Sequence, residues 1–183
     1  MKRILIVGID TGVGKTVVST LFCQALRAAY WKPVQCGIPT DCEWVEKLGI
    51  RCYPSSIVLK EPCSPHLAAR LEGVGIEAKE LKPPEHSGAL IIEGTGGLLA
   101  PLNENEAWID AALHWGGEWV LVHRHYLGSL NHFLLTVEAM RHRGIPLRGV
   151  VFNGKGDPAT EEMLLKRAGA ACLARVPWIK TGF

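Results

Sequence analysis

A chain of 183 residues, about half of them hydrophobic, suits one compact domain over 1–183 with a single buried core. Twenty basic and 18 acidic residues lie scattered along it for a formal charge of +2, so no basic tail or stripe points to nucleic acid or to an anionic membrane. The apolar run at 4–7 is too short to cross a bilayer and leads into a glycine loop instead of a cleavage site, so a cytoplasmic location is expected.

The first strand-like run, 3–7, ends in Gly8-Ile9-Asp10-Thr11-Gly12-Val13-Gly14-Lys15-Thr16, and Val17 continues into an apolar helical stretch. Strand, glycine loop and helix in that order make a phosphate cradle. Glycines let consecutive N–H groups turn inward around the anion, and the helix start adds partial positive charge. Five residues separate Gly8 from Gly14, one more than the usual spacing. Lys15 is expected to reach the β- and γ-phosphates of ATP, and the Thr16 hydroxyl to ligate Mg2+.

A second strand is expected at 32–35, with Lys32 at its start after an apolar helix, followed by a polar turn carrying Asp41 and a helical stretch at 44–48. Ser64 and Asp157 each precede a proline at a first helical position. The run at 89–92 delivers Glu93 to its carboxyl edge beside Gly94, Gly96 and Gly97. A carboxylate there suits Mg2+, and burying it without a partner would be costly; capping the next turn is the plainer alternative. Asp41 is a weaker second carboxylate, since aspartates on turns commonly cap helices.

Further strands are expected at 119–122, 149–152 and 172–176. Between the first two, a helix opens at Ser129 as N-cap, carries Leu130, Phe133, Leu134, Val137 and Met140 on one face, and ends at Gly144 before Pro146. Short apolar strands alternating with amphipathic helices predict an α/β fold of the P-loop NTPase class, with a mostly parallel sheet flanked by helices on both faces. Ligands in such sheets gather beyond the carboxyl ends of the strands. Six cysteines (Cys23, Cys36, Cys42, Cys52, Cys63 and Cys172) form no CxxC pair and are expected to stay reduced, with neither a zinc site nor a disulfide. His123 and His125, two apart at a strand end, are not expected to hold a metal.

The glycine loop, followed in order by Trp31-Lys32-Pro33-Val34-Gln35, Glu61-Pro62-Cys63-Ser64-Pro65-His66, Glu93-Gly94-Thr95-Gly96-Gly97 and Gly128-Ser129-Leu130-Asn131-His132, resembles the dethiobiotin synthetase family over almost the whole chain. The resemblance implies a homodimer that closes the ureido ring of dethiobiotin from 7,8-diaminopelargonate, CO2 and ATP. It implies a carbamate and a carbamic-phosphoric mixed anhydride on the way, with ADP and phosphate released.

By the same resemblance Lys32, Lys15 and Thr11 are catalytic, and Thr16, Asp41 and Glu93 hold Mg2+. Asp10, Thr11, Gly12, Val13, Gly14, Lys15, Thr16, Val17, Asn153, Pro177 and Trp178 surround the nucleotide. Thr11, Lys32 and Cys36 meet the reacting end of the diamine, while Gly128, Ser129, Leu130 and Asn131 of one subunit hold the carboxylate of substrate bound to the other. An ammonium at Lys32 has the right charge to steady a carbamate and a migrating phosphoryl group; an ordinary solvated lysine is the plainer alternative. Cys36 stands where the family usually has serine, Gly154 where an acidic residue is common, and few residues follow Trp178 to cover the nucleotide. An ATP-driven dimer switch, acting as an interaction protein, is the alternative. Such switches carry an extra lysine early in the loop, where this chain reads Asp10-Thr11-Gly12.

Overall fold

A computed structural model describes residues 2–177. In chain order the elements are β1 (Lys2–Gly8), α1 (Lys15–Leu26), β2 (Ala29–Trp31), β3 (Val34–Cys36), α2 (Asp41–Lys47), β4 (Cys52–Tyr53), β5 (Ile57–Leu59), α3 (Pro65–Glu72), β6 (Ala89–Glu93), α4 (Trp108–Ala112), β7 (Glu118–Arg124), α5 (Ser129–His142), β8 (Leu147–Asn153), α6 (Pro158–Ala168) and β9 (Ala171–Val176). Leu5, Ile6, Leu90, Ile91, Ile92, Leu121, Val122, Val150 and Val151 are all fully buried, the unbroken apolar pattern of strands covered on both faces. Seven strands pair in the order β4-β2-β6-β1-β7-β8-β9, every pair parallel.

From β1 the chain crosses through α1 to β2 on one side, and from β7 through α5 to β8 on the other. Right-handed crossovers in opposite directions put those helices on opposite faces of the sheet. The reversal falls at β1 and its two neighbours. Ile6 lies opposite Glu93 in the ladder, so the glycine loop and the end of β6 open at the same edge. No helix among the described residues is long and apolar enough to cross a membrane.

The strand expected at 32–35 is broken in two. β2 ends at Trp31 inside the main sheet, and β3 pairs with β5 in a separate two-stranded sheet. Pro33 has no N–H to give a ladder, and the break releases Lys32 just beyond a strand instead of at the start of one. β4 and β5, of two and three residues, are too short to announce themselves in sequence. Asp41 lies in the first turn of α2, not on a turn before it, because Thr40 forms a capping box with Glu43. Likewise Gly128, at φ 95°, is the N-cap of α5, and the Ser129 hydroxyl instead accepts from the Tyr126 N–H at 3.2 Å.

Cys42 and Cys52 are joined as a disulfide, against the expectation of six free thiols. α2 packs on β4 and brings the two Cα atoms to 5.9 Å, a gap that cystine spans. Their separation of ten residues matches no motif that would reveal the contact. Cys23, Cys36, Cys63 and Cys172 are free.

β7 buries His123 completely, edge-on to Phe133 and Phe152, with neither ring nitrogen hydrogen-bonded. Burial, helped by His125, pushes its imidazole down from 6.5 to about 3. The unfolded chain therefore takes up a proton below pH 6.5 that the folded chain refuses, and stability falls as pH drops from 6.5 towards 3. His123→Phe removes an unpaired polar ring worth about 1 kcal/mol or more. Calorimetry is expected to show a thermal midpoint raised by about 2–4 °C at neutral pH and a shallower decline on acidification. An unchanged acid-side slope would show that His123 does not contribute to it.

Candidate active site

The β1 strand ends at Gly8, and the loop that follows is held from several sides. Gly14 caps α1 at φ 91°, and a Cβ there would lie 1.9 Å from the Asn153 side-chain nitrogen, so the position demands glycine. Asn153, at the end of β8, donates through Nδ2 to the Val13 carbonyl at 2.9 Å, while its buried Oδ1 has no protein partner. The Lys15 ammonium folds back onto the Asp10 carbonyl at 2.9 Å. Burial pushes it down to about 8, with Glu93 the largest influence holding it up.

Opposite the loop stands a cluster of charges brought together from three elements. Glu93 is fully buried at the end of β6. Its Oε1 accepts from the Thr16 hydroxyl at 2.9 Å and from Lys32 Nζ at 3.4 Å, and its Oε2 accepts from the Tyr30 hydroxyl at 3.0 Å. Lys32 also pairs with Asp41. Burial alone would push the Lys32 ammonium down, but Glu93 and Asp41 together outweigh it and raise it above its ordinary value.

The cluster and the loop face one cavity of about 590 Å³. Pro62, Cys63, Ser64 and Pro65 form another wall, with Thr95, Gly96, Gly97 and Ala100 beneath. Thr16, Asp41 and Glu93 supply only hydroxyl and carboxylate oxygens, the hard donors that Mg2+ takes. That the Lys32 ammonium donates to both carboxylates shows that the space between them suits a cation.

A family model described as an AAA domain matches residues 2–181. A putative plasmid partition protein of Borrelia burgdorferi, solved with AMPPNP bound, aligns with a TM-score of 0.60 at 14% identity, over 98% of this chain and 87% of that one; the likeness is one of fold. The ATP-dependent dethiobiotin synthetase of Agrobacterium fabrum is 44% identical over 181 residues, covering 96% of this chain and 85% of the relative. That of Brucella ovis is 45% identical over 182 residues, covering 96% and 86%. The chain belongs to the ATP-dependent dethiobiotin synthetase family. It is an enzyme of the ligase class, and the dimer-switch alternative, supported by fold likeness alone, is not favoured.

Of the residues that the dethiobiotin synthetase resemblance singled out, Thr11, Gly12, Gly14, Lys15, Thr16, Val17, Lys32, Cys36, Asp41, Glu93 and Asn153 all line the cavity. Val13 is buried beneath the loop. Asp10 turns away: its carboxylate accepts from the Thr11 N–H at 2.7 Å and from the Tyr126 hydroxyl at 3.2 Å. It borders a second cavity of about 410 Å³ with Leu99, His132 and Leu135. Gly128, Leu130 and Asn131 are exposed and Ser129 is buried, all outside the first cavity. Pro177 is exposed, and Trp178 lies outside the described residues.

Tyr30 was missed in the sequence, although it stands two before Lys32 and the strand period of two puts both on one side. Tyr126 was missed too, since nothing local links it to Asp10. Cys36, half-buried at the end of β3, is a neutral thiol, since burial pushes it up to about 11.

Proposed function

We propose that this chain, a single domain over 1–183 working as a cytoplasmic homodimer, closes the ureido ring of dethiobiotin from 7,8-diaminopelargonate, CO2 and ATP. The observation that carries the reading is the Lys32–Asp41–Glu93–Thr16 cluster facing the glycine loop across one cavity. One substrate amine takes up CO2 as a carbamate, losing a proton. A carbamate oxygen then attacks the γ-phosphorus, ADP leaves, and the second amine displaces phosphate from the carbonyl carbon to close the ring. Little acid–base chemistry is needed, so positioning and charge stabilisation supply most of the acceleration.

Lys15 and the loop N–H groups hold the β- and γ-phosphates, and Lys32 meets the carbamate and the phosphoryl group in flight. Thr11, exposed at the cavity mouth, hydrogen-bonds the reacting end of the diamine. Thr16, Asp41 and Glu93 would hold Mg2+, which neutralises phosphate charge when bound. The unpartnered Asn153 Oδ1 is an acceptor suited to the amino group of adenine, with Pro177 and Trp178 beside the base. Exposed Leu99, Leu127, Leu130 and Leu135 flank the start of α5, an apolar surface that supports the homodimer. Across that interface, Gly128, Ser129, Leu130 and Asn131 would present the N-terminus of α5 to the substrate carboxylate.

The test is ADP release with MgATP, bicarbonate and diaminopelargonate, omitting each in turn, with mass detection of the product. ADP release that needs both diamine and bicarbonate and yields dethiobiotin supports the synthetase. Slow release indifferent to the diamine would sink it. Cys36→Ser places a stronger donor beside the carbamate, so kcat/KM for the diamine is expected to be equal or higher; a large loss would give the thiol a packing role of its own.

A further inference from the structure

α2 carries Asp41 into the cluster; it is capped at its start and leans Trp44 on the core, yet it buries little. It has seven residues, and Val45 is its one fully buried side chain, the mark of an element that opens locally at little cost. Its strongest anchor is the bond from Cys42 to Cys52. Cys52 lies on β4, the outermost strand on that side of the sheet, opposite Tyr30 of β2. A closed circuit results: from Lys32 back along β2, across the hydrogen-bonded ladder to β4, through the disulfide to Cys42, and on to Asp41, which returns to Lys32 by its ion pair. Both cysteines are half-buried, so small thiols and disulfides reach them. The Glu46 carboxylate stands beside both sulfurs.

We propose that Cys42 and Cys52 form a reversible dithiol–disulfide switch that sets the position of Asp41. Oxidation takes a small disulfide RSSR as the oxidant. One protein thiolate attacks it and expels RS⁻, and the second protein thiolate displaces the other RS⁻ from the mixed disulfide. Two protein thiols thereby lose two electrons and two protons, and RSSR becomes two RSH. A dithiol reductant runs the exchange backwards. In the bonded state the first turn of α2 is pinned and Asp41 is held against Lys32; in the reduced state that turn loosens and Asp41 leaves its place for part of the time. Cys42 and Cys52 are positioning residues, since they act through Asp41. The inference rests on the reading of Asp41 as a Mg2+ carboxylate.

The full chain is equilibrated in mixtures of reduced and oxidised glutathione, alkylated and weighed intact, and each sample is assayed for kcat and for the KM of Mg2+ in the dethiobiotin reaction. Wild type is expected to lose two alkylatable thiols on oxidation. Reduction is expected to raise the KM for Mg2+ by about tenfold with a smaller change in kcat, part of the roughly 10²-fold that an ångström of misplacement costs. Cys42→Ser and Cys52→Ser are expected to match reduced wild type in both buffers. The wild-type titration needs no variant, so a misfolded one does not blunt the test.

Four alkylatable thiols in every buffer would be the pattern of a permanent disulfide, and six in every buffer that of no disulfide; either overturns the switch, as does a disulfide that forms and breaks with no change in KM. Zinc held by the reduced thiols and Glu46, seen as bound metal in the native mass of reduced, unalkylated protein, would replace it with a metal site. Asp41→Asn separates the two readings. An unchanged KM for Mg2+ in that variant defeats the metal role of Asp41 and the switch with it. A raised KM that no longer responds to glutathione is the result expected, and a raised KM that still responds as wild type does defeats the switch alone, since the disulfide then acts elsewhere than through Asp41.

Discussion

Lys32→Ala is expected to cut turnover by roughly 10²-fold or more while ATP binding stays nearly intact, the loss typical of one preorganised charge-stabilising donor. The ammonium is buried, and Glu93 with Asp41 raises it above its ordinary value, so it stays charged throughout the assay range. It sits beyond the end of β2 and faces the loop across the cavity, while the phosphate cradle is built from other residues. That division predicts an effect on kcat and little on nucleotide affinity. Because the same ammonium neutralises two carboxylates, kinetics are measured at saturating Mg2+ and ATP binding is measured separately by calorimetry. Near-normal turnover would remove Lys32 from the mechanism. Lost ATP binding would recast it as part of the cradle.

Glu93→Ala is expected to abolish Mg2+-dependent ADP release and to destabilise the fold. Glu93 is fully buried and accepts from Thr16, Tyr30 and Lys32. Removing Glu93 leaves the buried Tyr30 hydroxyl without its acceptor and Lys32 with Asp41 as its remaining carboxylate, at about 3 kcal/mol, which for a domain of this size lowers the thermal midpoint by roughly 10 °C. Glu93→Gln separates the two losses. The amide keeps the shape and one carbonyl acceptor, so stability is largely retained, whereas the metal loses its carboxylate. A Glu93→Gln enzyme with an unaltered Mg2+ requirement would show that Glu93 serves the fold and not the metal.

The two sets of effects meet at one point, the space between Asp41 and Glu93. Lys32 donates to both carboxylates, and the Thr16 hydroxyl bonds the same Glu93 oxygen that Lys32 reaches. A cation bound there competes with Lys32 for oxygens, so metal binding and the freedom of the ammonium are coupled. The dense charge balance also explains why α2 matters more than its length suggests: a shift of its first turn moves one of the two carboxylates.

The sequence by itself determined the phosphate loop, the strand that feeds it, the alternation that makes a parallel sheet and the ordered motifs of the family. Each of these is local. Glycine spacing sets backbone conformation, apolar runs set burial, and a proline after Ser64 or Asp157 sets a helix start, all within a few residues. Even the break at Pro33 was written in the chain, since a residue without an N–H weakens any ladder, though the expectation of one strand at 32–35 passed over it. Only the tertiary structure decided which side chains meet. Glu93 finds Tyr30, Lys32 and Thr16 because β6 inserts between β1 and β2, and nothing in local spacing states that neighbour. Asp10 turns to Tyr126 instead of the cavity, and Cys42 reaches Cys52, for the same reason. The partner of a side chain depends on strand order and register, which come from burying the whole sheet at once, and not from any one segment.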